Sequence, residues 1–160
     1  MKYPPYKIQT DRLVIRCYNP YDAPLLKETV DKNIQYLQPW MSWALNEPTT
    51  IEEKVELLRL FRSNFDLSKD FIYGIFDKNE KYLIGGTGLH TRLGKNAFEI
   101  GYWISEDASN NGFATEAAQA LITAGFLVDD IDRIEIHCDP DNSKSAKIPE
   151  KLGFTLECIR

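Results

Sequence analysis

The sequence predicts a mixed α/β domain, on three observations. Strand-like and helix-like patterns run in the order strand, two helices, three strands, helix, strand, helix, strand. The three middle strand signals lie at hairpin distances, which reads as an antiparallel meander. The last of them, the helix after it and the next strand make a β-α-β unit. At 160 residues, with 43% hydrophobic and 27% charged residues, the chain is long enough for one domain around one core. No internal repeat, low-complexity run or linker divides it.

The first strand spans Leu13 to Tyr18, a β-branched, alternating stretch preceded by Thr10-Asp11. Asn19-Pro20 ends it and opens a helix to about Asn33, with Leu25, Leu26, Thr29 and Val30 turned inward. From Tyr36 to Trp43 the chain is aromatic-dense and broken by Pro39. Two readings stand: Trp40 and Trp43 fill the edge of the core, or they form a wall of a substrate cleft, where large rings cover a ligand's carbon skeleton. Thr49-Thr50 caps a long helix to about Leu67, with Glu52 and Glu53 in its first turn and Val55, Leu58, Phe61, Arg62 and Phe65 setting its spacing.

The meander consists of Phe71 to Phe76, Leu83 to His90 and Ala97 to Ile104, joined by turns at Asp77–Glu80 and Gly94–Asn96. In the third strand Ile100, Tyr102 and Ile104 share one face, while Glu99, Gly101 and Trp103 share the other. The stretch from Asp107 to Phe126 is the one around which the rest of the chain is organised. Ser109, Asn110, Asn111 and Gly112 lead into a helix whose Ala114, Ala118, Leu121, Ile122 and Gly125 are spaced to lie on one face. Asn and Gly readily enter left-handed backbone conformations, so several N–H groups can converge ahead of a helix start. The helix adds unpaired donors and partial positive charge, which suits a phosphate or pyrophosphate. An ordinary Asn/Gly helix start is the alternative.

Arg133 to Cys138 alternates as a strand with one wet or cleft-facing side. Asp139–Asn142 breaks it and caps a last helix to Leu152, stopped by Gly153, and Phe154 to Ile159 reads as a final strand. Pro149 inside that helix has no N–H, so it frees the carbonyl of Ser145 from its usual partner.

Composition excludes several classes. A net charge of −5 argues against nucleic acid as the main partner and is compatible with an amine or basic peptide substrate. No apolar run reaches the length of a membrane span, and MKYPPYKIQTDR lacks the apolar core of a secretory leader. Cys17, Cys138 and Cys158 lie far apart, and there are two histidines, which disfavours a metal site or disulfide framework and suits the reducing cytoplasm. Neither a G-x-x-x-x-G-K-[ST] loop nor a G-x-G-x-x-G turn after a strand is present, which excludes a nucleotide-binding kinase or dehydrogenase reading.

Taken together, TDRLVIR (Thr10–Arg16), GGTGLH (Gly85–His90), FEIGYWI (Phe98–Ile104), NGFATEA (Asn111–Ala117), N-x-x-S (Asn142–Ser145) and IPEKLGF (Ile148–Phe154) resemble the GNAT N-acetyltransferases. The likeness is to the RimJ/RimL branch, which includes ribosomal-protein N-terminal acetyltransferases, and it runs over nearly the whole chain. It implies a central, mostly antiparallel sheet splayed at the parallel β-α-β unit and flanked by helices. It also implies acetyl transfer from acetyl-CoA, as co-substrate, to a primary amine, either a protein N-terminus or a small molecule. The other reading keeps the fold but only binds CoA, as a sensor module. Two departures bear on this choice. Ser109 stands where the family's phosphate loop carries Gln or Arg, and Asn110 replaces a common glycine, so a charge-assisted contact of roughly 1.5–3 kcal/mol is lost. The family also continues past the segment matching Thr155–Arg160 into another strand. Part of the cleft wall is then absent or supplied by a second copy, and the open edge invites a homo-oligomer.

By the resemblance, backbone N–H groups of Asn110, Asn111, Gly112, Phe113 and Ala114 hold the pyrophosphate, with the Thr115 hydroxyl as a further donor. Trp103 and Ile104 pair with the pantetheine amides as an added strand would. Asn142 bonds the pantetheine arm and Ser145 the thiol, where a modest acid suffices for a group of pKa near 8.5. Glu99, on the face of Trp103, is the leading base for the ammonium proton and needs a raised pKa or an intervening water for that role. His90 and His137 are the alternatives, and His90 lines the substrate side with Trp40 and Trp43.

Overall fold

The computed structural model describes residues 1–157. Six strands form one sheet in sequence order: β1 (Lys7–Gln9), β2 (Leu13–Cys17), β3 (Phe71–Asp77), β4 (Leu83–His90), β5 (Ala97–Ile104) and β6 (Arg133–Ile136). Every neighbouring pair is antiparallel except β5 and β6, which are parallel. The mixed sheet with one parallel β-α-β unit is therefore the predicted one. The helices are α1 (Ala23–Lys32), α2 (Ile34–Leu37), α3 (Ile51–Asp66), α4 (Phe113–Phe126) and α5 (Ser143–Lys151).

Local chemistry sets the helix starts. Asn19 and Asp22 form a capping box around a short 3-10 turn, and Thr50 and Glu53 form another at α3. Arg16 reaches across to Asp22 with two bonds of 2.8 and 2.9 Å, tying β2 to that first turn. The inward face of α3 differs from its apolar spacing: Lys54 is buried with Leu58 and Phe65, because its ammonium bonds Glu47 and Thr49 in the preceding loop.

Strand alternation divides the core into two clusters. On one face Leu13, Ile15, Ile75, Leu89, Ile100 and Ile134 pack with Ala117 and Leu121 of α4. On the other, Val14, Phe76 and Leu83 pack with Leu26 and Val30 of α1 and Leu58 of α3. Full burial of each large aliphatic side chain contributes roughly 1.5–3 kcal/mol. The buried side of α4 is Ala117, Ala118, Leu121, Ala124 and Gly125, whereas Ala114 and Ile122 are half-buried. The predicted face is thus rotated by part of a turn, since this helix is apolar nearly all round.

Four further departures are local. The strand β1 was not expected, and β6 ends at Ile136 rather than Cys138. The aromatic stretch Tyr36–Trp43 overlaps α2 at one end and a 3-10 turn over Ser42–Asn46 at the other. Phe154–Glu157 carries no strand, and the rest of the expected last strand, including Cys158 and Ile159, lies outside the described residues. No helix among the described residues is long and apolar enough to cross a membrane.

Candidate active site

The turn before α4 has the backbone that its residue types require. Asn110 and Gly112 both adopt left-handed conformations, at φ 63° and 77°. Asn111 Nδ2 donates to the carbonyls of Ala108 and Ser109 at 3.0 and 3.1 Å, and Ser109 Oγ donates to the Glu106 carbonyl at 2.7 Å. These bonds occupy three carbonyls of the loop and brace it. Gly112 is the N-cap and brings no side-chain cap, so the first-turn amides of α4 remain donors for an incoming anion. Sequence spacing carries no sign of Arg12 here. Its guanidinium lies 4.4 Å over the Phe113 ring, and its Nη2 would be 3.5 Å from a Cβ at Gly112. Glu116 fixes it through a 2.8 Å bond to Nε. A cation thus stands beside the turn despite the serine at position 109.

The strand β5 leads directly into this turn, and among the described residues half of its outer edge has no strand partner. Its pairing with β6 runs only from Ala97↔Arg133 to Ile100↔Ile136, while Gly101–Ile104 continue to pair with β4. The expected splay therefore begins after Ile100, and Trp103 and Ile104 sit in its unpaired part. The start of α5 closes the splay from one side. Asn142 accepts from the Ser145 amide at 3.3 Å as its N-cap. Tyr102 Oη donates to the Ser145 carbonyl at 2.8 Å, supplying the partner that Pro149 cannot. Ser145 Oγ in turn donates to Tyr102 Oη at 3.3 Å. Burial pushes the Tyr102 phenol up to about 12, so it stays protonated and keeps donating.

The opposite face of the splay is a glycine-floored trough. The register aligns Gly86 with Trp103, Gly88 with Gly101, and His90 with Glu99 across β4 and β5. A Cβ at Gly86 would come 2.4 Å from Trp103 Nε1, while Cβ atoms at Gly88 and Gly101 would come 3.2 and 3.3 Å from His90 Nε2. The indole and imidazole therefore lie down on glycine at the two ends of the trough. Trp43 packs against Trp103 with ring centroids 5.7 Å apart. Trp40 and Trp43 are 40% and 39% exposed, so neither is buried in the core.

Charged groups cluster at the His90 end. Asp70 holds His90 Nδ1 with oxygens at 3.0 and 3.2 Å. Arg92 grips both oxygens of Glu99 at 2.6 and 2.7 Å, and one strand further His137 Nε2 meets Glu135 at 2.6 Å. The Arg92 guanidinium holds the Glu99 carboxyl below the usual carboxylate range, despite burial that opposes the shift. The raised pKa required for Glu99 to act directly as a base is thus not found, because an ion pair outweighs desolvation there. Asp70 and Arg92, like Arg12 and Tyr102, were not singled out by sequence reasoning. The hairpin register that aligns Phe71 with Leu89 sets Asp70 beside His90, which is a signal the sequence does carry. A separate depression of about 220 Å³, lined by Leu25, Thr29, Lys32, Ser105 and Asp107 among others, shares none of these side chains. Among the described residues no three His, Cys, Asp or Glu side chains are grouped to hold a metal.

The geometry is an open strand edge, Gly101–Ile104, that leads into a left-handed turn and the start of a helix. The chain belongs to the acetyltransferase (GNAT) domain family, whose model matches residues 12–155. It is 28% identical over 159 residues to the [Ribosomal protein uS5]-alanine N-acetyltransferase of Escherichia coli (strain K12), covering 96% of this chain and 80% of that protein. It is 30% identical over 127 residues to the ribosomal-protein-serine acetyltransferase of the same strain, covering 76% and 69%. Among solved structures it resembles RimL, the ribosomal L7/L12 alpha-N-protein acetyltransferase in complex with coenzyme A. That match has a TM-score of 0.85 at 27% identity and covers 95% of this chain and 85% of the other.

Proposed function

We propose that this protein transfers the acetyl group of acetyl-CoA to the α-amine of a protein N-terminus. The observation that carries this reading is the free β5 edge, Gly101–Ile104, running straight into the left-handed turn at Asn110 and Gly112. In this reading the pantetheine amides pair along Trp103 and Ile104, and amides from Asn110 to Ala114, with the Thr115 hydroxyl, receive the pyrophosphate. Arg12 adds the positive charge that Ser109 lacks. Asn142 meets the pantetheine arm, and the Ser145 hydroxyl, braced by Tyr102, faces the departing sulfur.

In this reading the acceptor enters over the glycine floor between Trp103 and His90, past Trp43, with Trp40 on the same aromatic stretch. Glu99, whose charge Arg92 balances, borders this floor beside His90. A floor of three glycines suits a slim first residue, and the two Escherichia coli relatives act on ribosomal proteins, named for one with alanine and for the other with serine. Such acceptors imply work in the cytoplasm, and pairing of a second copy at an open edge is compatible with the sheet. Precomplexed with acetyl-CoA, the protein should release free thiol with peptides beginning in Ala or Ser faster than with polyamines or bulky N-termini, and mass spectrometry should find one acetyl group on the peptide. Tight acetyl-CoA binding without thiol release for any amine would instead fit a CoA-sensing module.

A further inference from the structure

We propose that His90 is the base of this acetyltransferase, receiving the acceptor's proton at Nε2, with Asp70 as the positioning residue behind it. The inference rests on the reading that an amine enters the trough, and it goes beyond that reading by assigning the proton.

Geometry carries it. Both oxygens of Asp70 meet His90 Nδ1, at 3.0 and 3.2 Å, and the Thr91 amide donates to one of them at 3.4 Å. A carboxylate only accepts, so the ring proton sits on Nδ1 and the lone pair on Nε2. That nitrogen lies over the floor, 3.2 and 3.3 Å from where Gly88 and Gly101 would carry a Cβ. Among the described residues no protein group bonds it. Any side chain at those two positions would crowd the imidazole, so the glycines keep open the space in front of its free nitrogen.

The competing carboxylate is already committed. Glu99 is His90's cross-strand neighbour, and both of its oxygens accept from Arg92. The charged groups around His90 are Asp70 ahead of β3, Arg92 after β4, Glu99 on β5, and Glu135 with His137 at the β6 side. Of these, Asp70 touches the ring at Nδ1, and the Arg92-paired Glu99 is its neighbour across the strands.

Atoms and charges balance across the step. The acceptor enters as an ammonium and gives one proton to Nε2. Its nitrogen lone pair then attacks the thioester carbonyl carbon, and the carbon–sulfur bond breaks as the adduct collapses. The second N–H proton passes to the thiolate, giving the amide and the free CoA thiol, and the imidazolium returns its proton to water.

The test compares His90→Gln, Asp70→Asn and Glu99→Gln with the wild-type protein, reading thiol release against pH and acetyl-CoA affinity by calorimetry. A graded acceptor series, from peptide amines to weakly basic hydroxylamines, supplies the discriminating axis. His90→Gln should lower kcat/KM for the peptide about 10²–10⁴-fold at neutral pH, with acetyl-CoA affinity unchanged. The loss should shrink toward weakly basic acceptors, which arrive already neutral. Asp70→Asn should lower kcat without changing acetyl-CoA affinity and keep the same acceptor trend, whereas a merely structural contact would depress all acceptors alike. Glu99→Gln should keep the wild-type acceptor trend, because the base is elsewhere. Full activity in His90→Gln, or an equal loss for every acceptor in both dyad variants, overturns the dyad. A wild-type protein that binds acetyl-CoA but releases no thiol overturns the transferase reading itself, and the dyad with it.

Discussion

The bond from Tyr102 to the Ser145 carbonyl makes a prediction that can be worked through in numbers. Pro149 removes the N–H that would have bonded this carbonyl within α5, and Tyr102 Oη takes its place at 2.8 Å. Tyr102→Phe leaves the ring and its packing but strands a half-buried carbonyl. Such a loss costs about 1–3 kcal/mol when the group is buried, and the partial exposure here argues for about 1–2 kcal/mol. For a chain of this size that is a fall in Tm of about 2–8 °C. Pro149→Ala restores an N–H to the helix, and with it a second donor for the same carbonyl. Tyr102→Phe should therefore cost much less in the Pro149→Ala background. Thermal unfolding of all four proteins completes a double-mutant cycle, and a coupling of about 0.5–1.5 kcal/mol is expected. If the two substitutions simply add, to within about 0.5 kcal/mol, Pro149 is not what makes the Tyr102 bond necessary and the reasoning fails.

Three other substitutions read other parts of the site. Gly112→Val puts a β-branched residue at φ 77°, a strain of about 1–2 kcal/mol or more, and should weaken acetyl-CoA binding about tenfold in a calorimetric titration. Gly101→Val fills the floor of the trough, so KM for a peptide amine should rise with acetyl-CoA affinity nearly unchanged in steady-state assays. Glu99 has a lowered carboxyl pKa in the folded protein, so its contribution to stability is present above the ordinary carboxylate range and is lost as pH falls through that range and below. Urea midpoints of wild type should drop over that window, and the drop should be smaller in Glu99→Gln.

Much of this was legible in the chain because its signals are local. The left-handed pair at Asn110 and Gly112 follows from residue type, and the freed Ser145 carbonyl from counting four residues back from Pro149. The three central strands follow from alternation and turn residues. The helix α4 was harder: alanines on most sides blur its period, so burial by the sheet, rather than the pattern, decides that Ala117 and Ala124 face inward and Ala114 does not. Strand β1 is only three residues long and escapes any periodic test. Around the site, what escaped is what pairs across distance. Arg12 and Glu116 are 104 residues apart, and nothing in either segment announces the other. The ionisation of Glu99 depends on Arg92, seven positions away across a hairpin turn. Residue type suggested a base there, and only the fold reveals that its charge is already matched.

A crystal structure of the protein with coenzyme A tests the central claim most directly. Diphosphate oxygens are expected on the amides of Asn110–Ala114 within reach of Arg12, pantetheine paired along Trp103 and Ile104, and sulfur between Ser145 and the glycine floor. Coenzyme A bound elsewhere, with β5 unpaired and the α4 turn unvisited, would contradict it.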